Sequence, residues 1–313
     1  MIIENSATGV MDRLGLGWDA IRTANPGAVL VSSQLYGDRG PWATRKGYGP
    51  SARAVAGLTW LWAHGPDAPR GVSTIHPDHL AGRLGAIGAV AGLLARARTG
   101  RGCRVDTAQF EAAAGLLGDL LLAESLDPGA ARPRGNRHDE HVPWGLFRCA
   151  DDGDAESWLA VTVTSDEGWA ALRSVAGDGL QAPPQWDTAE GRRMARETVD
   201  AAVQAWLRDL DAAVLEARLQ AAGVAAGQAL HPRLQSTHPQ FVARGYPCVL
   251  DQPACGALLV EGPAFTGPAL GSPRCGPAPP LGGHTDEVCR RILGLDDAEI
   301  AGLRAAGALD PPG

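Results

Sequence analysis

The sequence predicts an α/β domain followed by a compact α+β module, and three observations predict it. Ala28-Val29-Leu30-Val31-Ser32-Ser33 is a continuous apolar run of strand length, the pattern of a strand buried on both faces inside an α/β sheet. Helical patterns flank it, a short one over Trp18–Asn25 stopped by Pro26 and a long one over Asp78–Arg98. After a polar loop rich in Pro, Gly and Arg over Asp127–Val142, the pattern changes to a strand pair followed by helices.

Taken in order, Met1-Ile2-Ile3-Glu4-Asn5 reads as the end of a strand, and Gly9 to Leu16 as one helical turn. Gly37-Asp38-Arg39-Gly40-Pro41-Trp42 is a turn cluster. Pro50–Trp62 reads as helix and Gly65–Pro77 as loop. The helix from Asp78 carries small residues on several faces and stops at Thr99-Gly100-Arg101-Gly102. A short extended run, Cys103-Arg104-Val105, then feeds a second apolar helix running to about Ser125. In the second module, Gly145–Cys149 and Trp158–Val163 form a hairpin across Asp151-Asp152-Gly153-Asp154. Helices follow over Asp166–Val175, Gly191–Trp206 and Asp211–Ala222. From Pro232 to Pro280 the chain reads as a proline-studded loop, and it closes with helices over Thr285–Leu293 and Asp296–Ala306, Asp296 being the N-cap.

Composition excludes some function classes. Net charge is −7 with no basic block, which argues against nucleic acid as a partner. The apolar stretch Leu80–Leu94 is broken by Arg83 and several glycines, and reads as too short and mixed to span a bilayer. The six cysteines are scattered without a CxxC pair, so neither a metal site nor a disulfide framework is expected, and reduced thiols in the cytoplasm are. The first residues lack the basic and apolar regions of a signal peptide.

One carboxylate stands out. Glu111 sits near the start of the helix after the Gly100-Gly102 turn, beside Ala112, Ala113, Leu116 and Leu117. The first helical turn favours an anion, so an ionised carboxylate there has the makings of a nucleophile; the alternative is a solvated glutamate on a helix face. Gly100 and Gly102 read as turn residues.

Taken together, these segments resemble the family III CoA-transferases, the CaiB/BaiF family. The resemblance is carried by Glu4-Asn5 with Gly9-Val10-Met11-Asp12-Arg13-Leu14-Gly15, by Asn25-Pro26 through Gly40-Pro41-Trp42, and by Asp78 with Ala81-Gly82. Thr99-Gly100-Arg101-Gly102 through Val105-Asp106 to Glu111, Gly135-Asn136-Arg137, and Leu281-Gly282 with His284 to Leu295 complete it. It implies a Rossmann-like large domain over 1–135, a small α+β domain over 143–231, a proline-rich linker over 232–280 returning to the large domain, and closing helices of that domain over 281–313. Two linkers join the domains, and two subunits interlock as a dimer. It also implies that a βαβ unit precedes the Glu4-Asn5 segment; without it the large domain is N-terminally truncated and its sheet incomplete.

The implied activity is transfer of CoA from an acyl-CoA to a carboxylic acid, with CoA as substrate and no permanently bound cofactor. Glu111 stands where the best-known transferases carry a nucleophilic aspartate. Racemases of the family use an Asp, matched by Asp78, and a His, whose place falls at Tyr48 or Gly49. Lys46 and Tyr48 match positions lining the CoA and acyl pocket, though by themselves they read equally as a loop lysine and a packing tyrosine. Arg13, Arg39 and Arg101 are further candidates for CoA binding. His79 reads as structural or surface. The expected assembly is a homodimer or a heteromer with a paralogous subunit, and the alternatives to an active transferase are a catalytically silent partner subunit of a heteromeric CoA-transferase or an acyl-CoA racemase or isomerase.

Overall fold

The computed structural model describes residues 1–64, 75–153, 155–262, 265, 267–268 and 276–309. The chain gathers into two compact units, Met1–Leu146 with Val161–Ala202, and Phe147–Ala160 with Val203–Gly313.

The first unit is built on a parallel sheet of β1 (Ile2–Glu4), β2 (Val29–Gln34) and β3 (Cys103–Ala108), in the order β1–β2–β3. Ile3 lies opposite Val31 and Val31 opposite Val105. Helices α1 (Val10–Arg13) and α2 (Trp18–Ala24) carry the chain from β1 to β2. Helices α3 (Gly49–Val55), α4 (Leu58–Leu61) and α5 (His76–Thr99) carry it from β2 to β3. The central position of β2 explains its sequence, because Val29, Leu30 and Val31 are buried whichever face they point to.

One sheet face packs against α5. A Cβ on Gly85 would meet Val31, one on Gly88 would meet Val105, and one on Gly92 would meet Val29 and Cys103. The small residues noted in the sequence are therefore what lets the helix lie close to the strands. On the other face Ile21, Ala28 and Leu30 pack with Ile2, Met11 and Trp18. Helix α5 spans 24 residues, so by length and composition it is apolar enough to cross a membrane, which corrects the shorter bound read from Leu80–Leu94. Core helices of soluble proteins meet the same criterion. Ala81, Gly85, Ala89 and Gly92 are buried, whereas Leu84, Ile87, Val90 and Leu94 are exposed.

Two expected helices are broken. Pro50–Trp62 is divided into α3 and α4 because Gly57 adopts a left-handed φ of 89° between them. The helix expected to run from Glu111 to Ser125 is divided into α6 (Gln109–Gly115) and α7 (Gly118–Leu126), with a weak helix former, glycine, on each side of the break. The loop expected over 65–77 falls largely outside the described residues, and His76 and Pro77 belong to α5.

A second sheet runs in the order β4 (Trp144–Arg148), β5 (Trp158–Thr162), β6 (Ala225–Gln228). The first two strands are the expected hairpin; the third is additional. The accompanying helices are α8 (Asp166–Ala176), α9 (Ala189–Met194), α10 (Arg196–Leu207) and α11 (Ala212–Ala221). Ser165, Thr188 and Asp211 cap three of them by accepting from backbone N–H groups. The buried Arg192 guanidinium donates to the carbonyls of Val142 and Trp186, both at 3.0 Å, and to the Asp166 carboxylate at 3.0 Å, tying the 127–142 loop to this module.

The proline-rich segment is not wholly loop. It contains α12 (Pro239–Ala243) and an antiparallel hairpin, β7 (Cys248–Gln252) with β8 (Gly256–Val260). Val249-Leu250 and Leu258-Leu259-Val260 supply strand residues, and Pro253 is confined to the connection, where it removes no ladder hydrogen bond. The chain closes with α13 (Thr285–Arg291) and α14 (Asp297–Ala305), the latter opened by an Asp296–Glu299 capping box.

Candidate functional site

Parallel strands deliver their carboxyl ends to one edge of the sheet, where ligands of open α/β sheets bind. Here Asn5 to Thr8 leave β1, Gln34 to Tyr36 end β2, and Gln109 follows β3. These residues line a cleft of about 360 Å³ together with Lys46 and Tyr48 from the loop after β2 and Asp78 from the first turn of α5.

The loop that carries Lys46 is held from the sheet side. The Tyr36 ring lies 5.7 Å from Trp42 and 5.9 Å from Phe110. The Phe110 N–H donates to the Leu35 carbonyl at 3.1 Å, fixing the start of α6 to the end of β2. The Arg45 guanidinium stacks over Trp42 at 4.7 Å. This aromatic set places Lys46 and Gln109 around the same opening.

Asp78 is tightly backed. A Cβ on Gly49 would stand 1.7 Å from Asp78 Oδ2. That oxygen is buried and accepts no hydrogen bond among the described residues. Position 49 therefore cannot carry a side chain without moving the carboxylate. Tyr48 is 84% exposed at the cleft mouth.

A polar network of Glu4, Ser32 and Gln34 lines a second cavity, of about 270 Å³, which shares Gln34 with the cleft. The Glu4 carboxylate accepts from the Ser32 hydroxyl, from Gln34 Nε2 at 3.1 Å and from the Ser6 N–H at 2.8 Å. Gln34 Nε2 also donates to Ser32 Oγ at 3.1 Å. Ser32 and Gln34 are both buried.

Glu111 lies elsewhere. It is exposed, and it lines an open depression of about 610 Å³ with Leu80, Leu84, Val105, Asp106 and Leu116. Glu111 and the cleft residue Gln109 stand in the same first turn of α6. Burial, and then the nearby Asp38 charge, push the Asp106 carboxyl above its ordinary value against the opposing pull of Arg104. Asp38 itself pairs with Arg104 and with Arg39, each at 3.1 Å.

The structure thus brings Lys46, Tyr48 and Asp78 together, and sets Glu111 in a neighbouring opening. Arg13, Arg39 and Arg101 line neither cavity. Arg13 ends α1, Arg39 pairs with Asp38, and Arg101 belongs to the turn, its N–H donating to Thr99 Oγ at 3.2 Å. His76 and His79 are exposed. Gly100 caps α5 with φ 72°, and a Cβ on Gly102 would stand 1.8 Å from the Ala28 carbonyl oxygen, so both are required by the turn. Among the described residues no cluster of three or more His, Cys, Asp or Glu side chains is placed to hold a metal ion. Sequence reasoning missed Gln34 and Gln109; the signal was a polar close to an apolar strand, Ser32-Ser33-Gln34, and an amide opening an apolar helix.

Comparison with known proteins gives the same direction. The model of CoA-transferase family III matches residues 1–285. A probable CoA-transferase of Mycobacterium tuberculosis is 33% identical over 96% of this chain, which spans 38% of that relative's length. A succinyl-CoA–D-citramalate CoA-transferase of Chloroflexus aurantiacus is 27% identical over 97% of this chain, which spans 75% of its length. The solved structure of a CaiB/BaiF family protein from Brucella suis superposes with a TM-score of 0.82 at 22% identity, covering 92% of this chain and 74% of that one, and shares the fold. The chain belongs to CoA-transferase family III.

Proposed function

We propose that this chain transfers CoA from an acyl-CoA to a carboxylic acid, with Glu111 as the covalent carrier. The Glu111 carboxylate attacks the thioester carbonyl; the C–S bond breaks, giving a mixed anhydride and CoA thiolate. The thiolate then attacks the glutamyl carbonyl of that anhydride, releasing the donor acid and leaving Glu111 as a CoA thioester. The acceptor carboxylate attacks this thioester, forming a second anhydride and freeing the thiolate. Attack of the thiolate on the acceptor's carbonyl releases the new acyl-CoA and restores the Glu111 carboxylate. Charges and atoms balance without a redox partner, and CoA enters and leaves as substrate.

The observation that carries this reading is the cleft at the carboxyl ends of the parallel strands in a chain matched by the family model. Lys46, Tyr48 and Asp78 line it, and Glu111, two residues beyond its Gln109 on the other side of α6, lines the neighbouring depression. Lys46 supplies positive charge for the phosphates of CoA. Asp78 orients the reacting group in the cleft. Racemisation is disfavoured, because neither position 48 nor 49 is a histidine and any Cβ on Gly49 meets Asp78. Replacing Glu111 with Gln should abolish CoA transfer in a chromatographic assay of acyl-CoA products, and retained transfer would refute the assignment.

A second reading has its own support. Relatives include the alpha and beta subunits of a succinyl-CoA–L-malate CoA-transferase, at 27% and 28% identity, and Glu111 is exposed in this chain. On that reading the chain is a partner subunit whose activity appears only with a paralogue. Either way an oligomer is proposed, supported by the exposed apolar residues Leu84, Ile87, Val90 and Leu94 on α5. Sedimentation of the purified chain as a monomer at micromolar concentration, both alone and mixed with a paralogous subunit, would contradict it. We place the protein in the cytoplasm, a reading supported by its free thiols, which include Cys103, Cys149 and Cys289.

A further inference from the structure

The depression that holds Glu111 differs in character from the cleft. Leu80 and Leu84 stand one turn apart on α5, Ala112 lies on α6 and Leu116 caps it, and all of them line the depression with Val105. Leu84 is 41% exposed and Leu116 54%, so hydrocarbon lies open to water in the same depression as a carboxylate. Gly115, four residues beyond Glu111 and on the same face of α6, also lines it. A Cβ on Gly115 would meet nothing within 4 Å among the described residues. Position 115 thus puts no side chain in the way one turn from the carboxylate.

A carboxylate that carries an acyl group holds it through a single anhydride oxygen. Whatever follows the acyl carbonyl therefore lies against the surfaces around that carboxylate. A hydrocarbon tail there covers the leucine side chains and is covered by them, which removes apolar surface of both from water. A tail ending in a second carboxylate sheds water against leucine side chains that offer it no hydrogen bond. At about 610 Å³ the depression is large enough for such a tail.

From this we infer that the acyl group carried in this depression has an uncharged hydrocarbon tail, and that Leu80, Leu84 and Leu116 are the residues that select it. The inference rests on Glu111 being the carrier, as proposed above, and adds the substrate class to that reading. It sets this chain apart from relatives named for succinyl-CoA, whose acyl group ends in a carboxylate.

The test uses the full chain with acetyl-, butyryl-, hexanoyl- and succinyl-CoA. Butyryl and succinyl groups have equal carbon counts and differ at the end, methyl against carboxylate. The assay is exchange of isotopically labelled CoA into each ester, which requires the anhydride on Glu111 but no acceptor acid. A methylene laid against apolar walls is worth about fourfold, and about twofold where one side stays in water. The added methylenes should therefore raise kcat/KM at least about tenfold from acetyl-CoA to hexanoyl-CoA. Butyryl-CoA should exceed succinyl-CoA by at least about tenfold. In Leu116→Gln, which makes one wall polar at an exposed position, the hexanoyl-to-acetyl ratio should fall at least about threefold while circular dichroism stays that of the parent. Should that variant fail to fold, Leu80→Gln takes its place, and should neither fold, the parent series alone decides. A flat series, a preference for succinyl-CoA over butyryl-CoA, or an unchanged ratio in the folded variant overturns the inference. If the folded variant then sediments as a smaller species than the parent, these walls belong to a subunit contact instead. Exchange without the preference removes the inference and leaves the transferase reading. Without exchange into any ester the transferase reading falls, and calorimetry of the same esters decides the inference: binding that strengthens with tail length and is flattened in Leu116→Gln keeps the hydrocarbon preference, and equal binding or none overturns it.

Discussion

Gly49→Ala isolates Asp78 without altering its chemistry. The added methyl would stand 1.7 Å from Asp78 Oδ2, where ordinary contact begins at 3.4 Å, so the oxygen has to retreat by about 1.7 Å. The obstacle is the free end of a side chain, which swings away at the cost of a poorer rotamer, about 0.5–1.5 kcal/mol. The Ile75 Cβ, at 3.3 Å from the new methyl, resists less because a few tenths of an ångström relieve it. Folding should therefore survive with a modest drop in Tm. Catalysis should not, because misplacing a group by about 1 Å in an active site costs on the order of a hundredfold. The assay is kcat/KM for CoA transfer beside a thermal melt. A folded Gly49→Ala protein within twofold of the parent would refute the placement of Asp78 in the working site. A protein that fails to fold would refute the argument that the carboxylate can move aside.

Two stability measurements probe the scaffold. Gly102→Ala sets a methyl 1.8 Å from the Ala28 carbonyl oxygen, a backbone atom that cannot rotate away, whereas Gly100→Ala meets open space and suffers only its φ of 72°. Urea unfolding should show the Gly102 variant losing more than the Gly100 variant, for which the left-handed conformation costs about 1–2 kcal/mol; the reverse order would contradict the turn's geometry. Asp106 titrates above its ordinary value in the folded chain, so its contribution favours folding below the ordinary carboxylate range and is lost as pH rises through the folded value. The Tm of the parent should accordingly fall relative to Asp106→Asn as pH is raised from the ordinary carboxylate value toward neutrality, and a relative gain would show that Arg104 outweighs burial.

The parallel sheet was legible because β2 is apolar on both faces and because α5 carries glycines wherever the strands come closest. The turn at Gly100 and Gly102 was legible for the same reason, as only glycine fits a left-handed cap and a 1.8 Å approach to another backbone. The break between α6 and α7 was not, because Leu116 and Leu117 continue the apolar pattern across it while the interruption depends on backbone torsions. The β7–β8 hairpin was hidden by the prolines around it, which suggested loop although only Pro253 falls between the strands. At the candidate site, Lys46, Tyr48 and Asp78 were picked out by resemblance, and the cleft joins them. Gln34 escaped notice because its contact with Glu4 joins β1 to β2 across a long stretch of sequence, which no local pattern encodes.

The central claim is that Glu111 carries the acyl and CoA groups. The most direct measurement is to incubate the protein with an acyl-CoA, trap with hydroxylamine or borohydride, digest, and locate the modified residue by mass spectrometry. The account predicts a hydroxamate or alcohol on the peptide holding Glu111 and none in Glu111→Gln. A protein that transfers CoA while bearing its label on any other residue would contradict it.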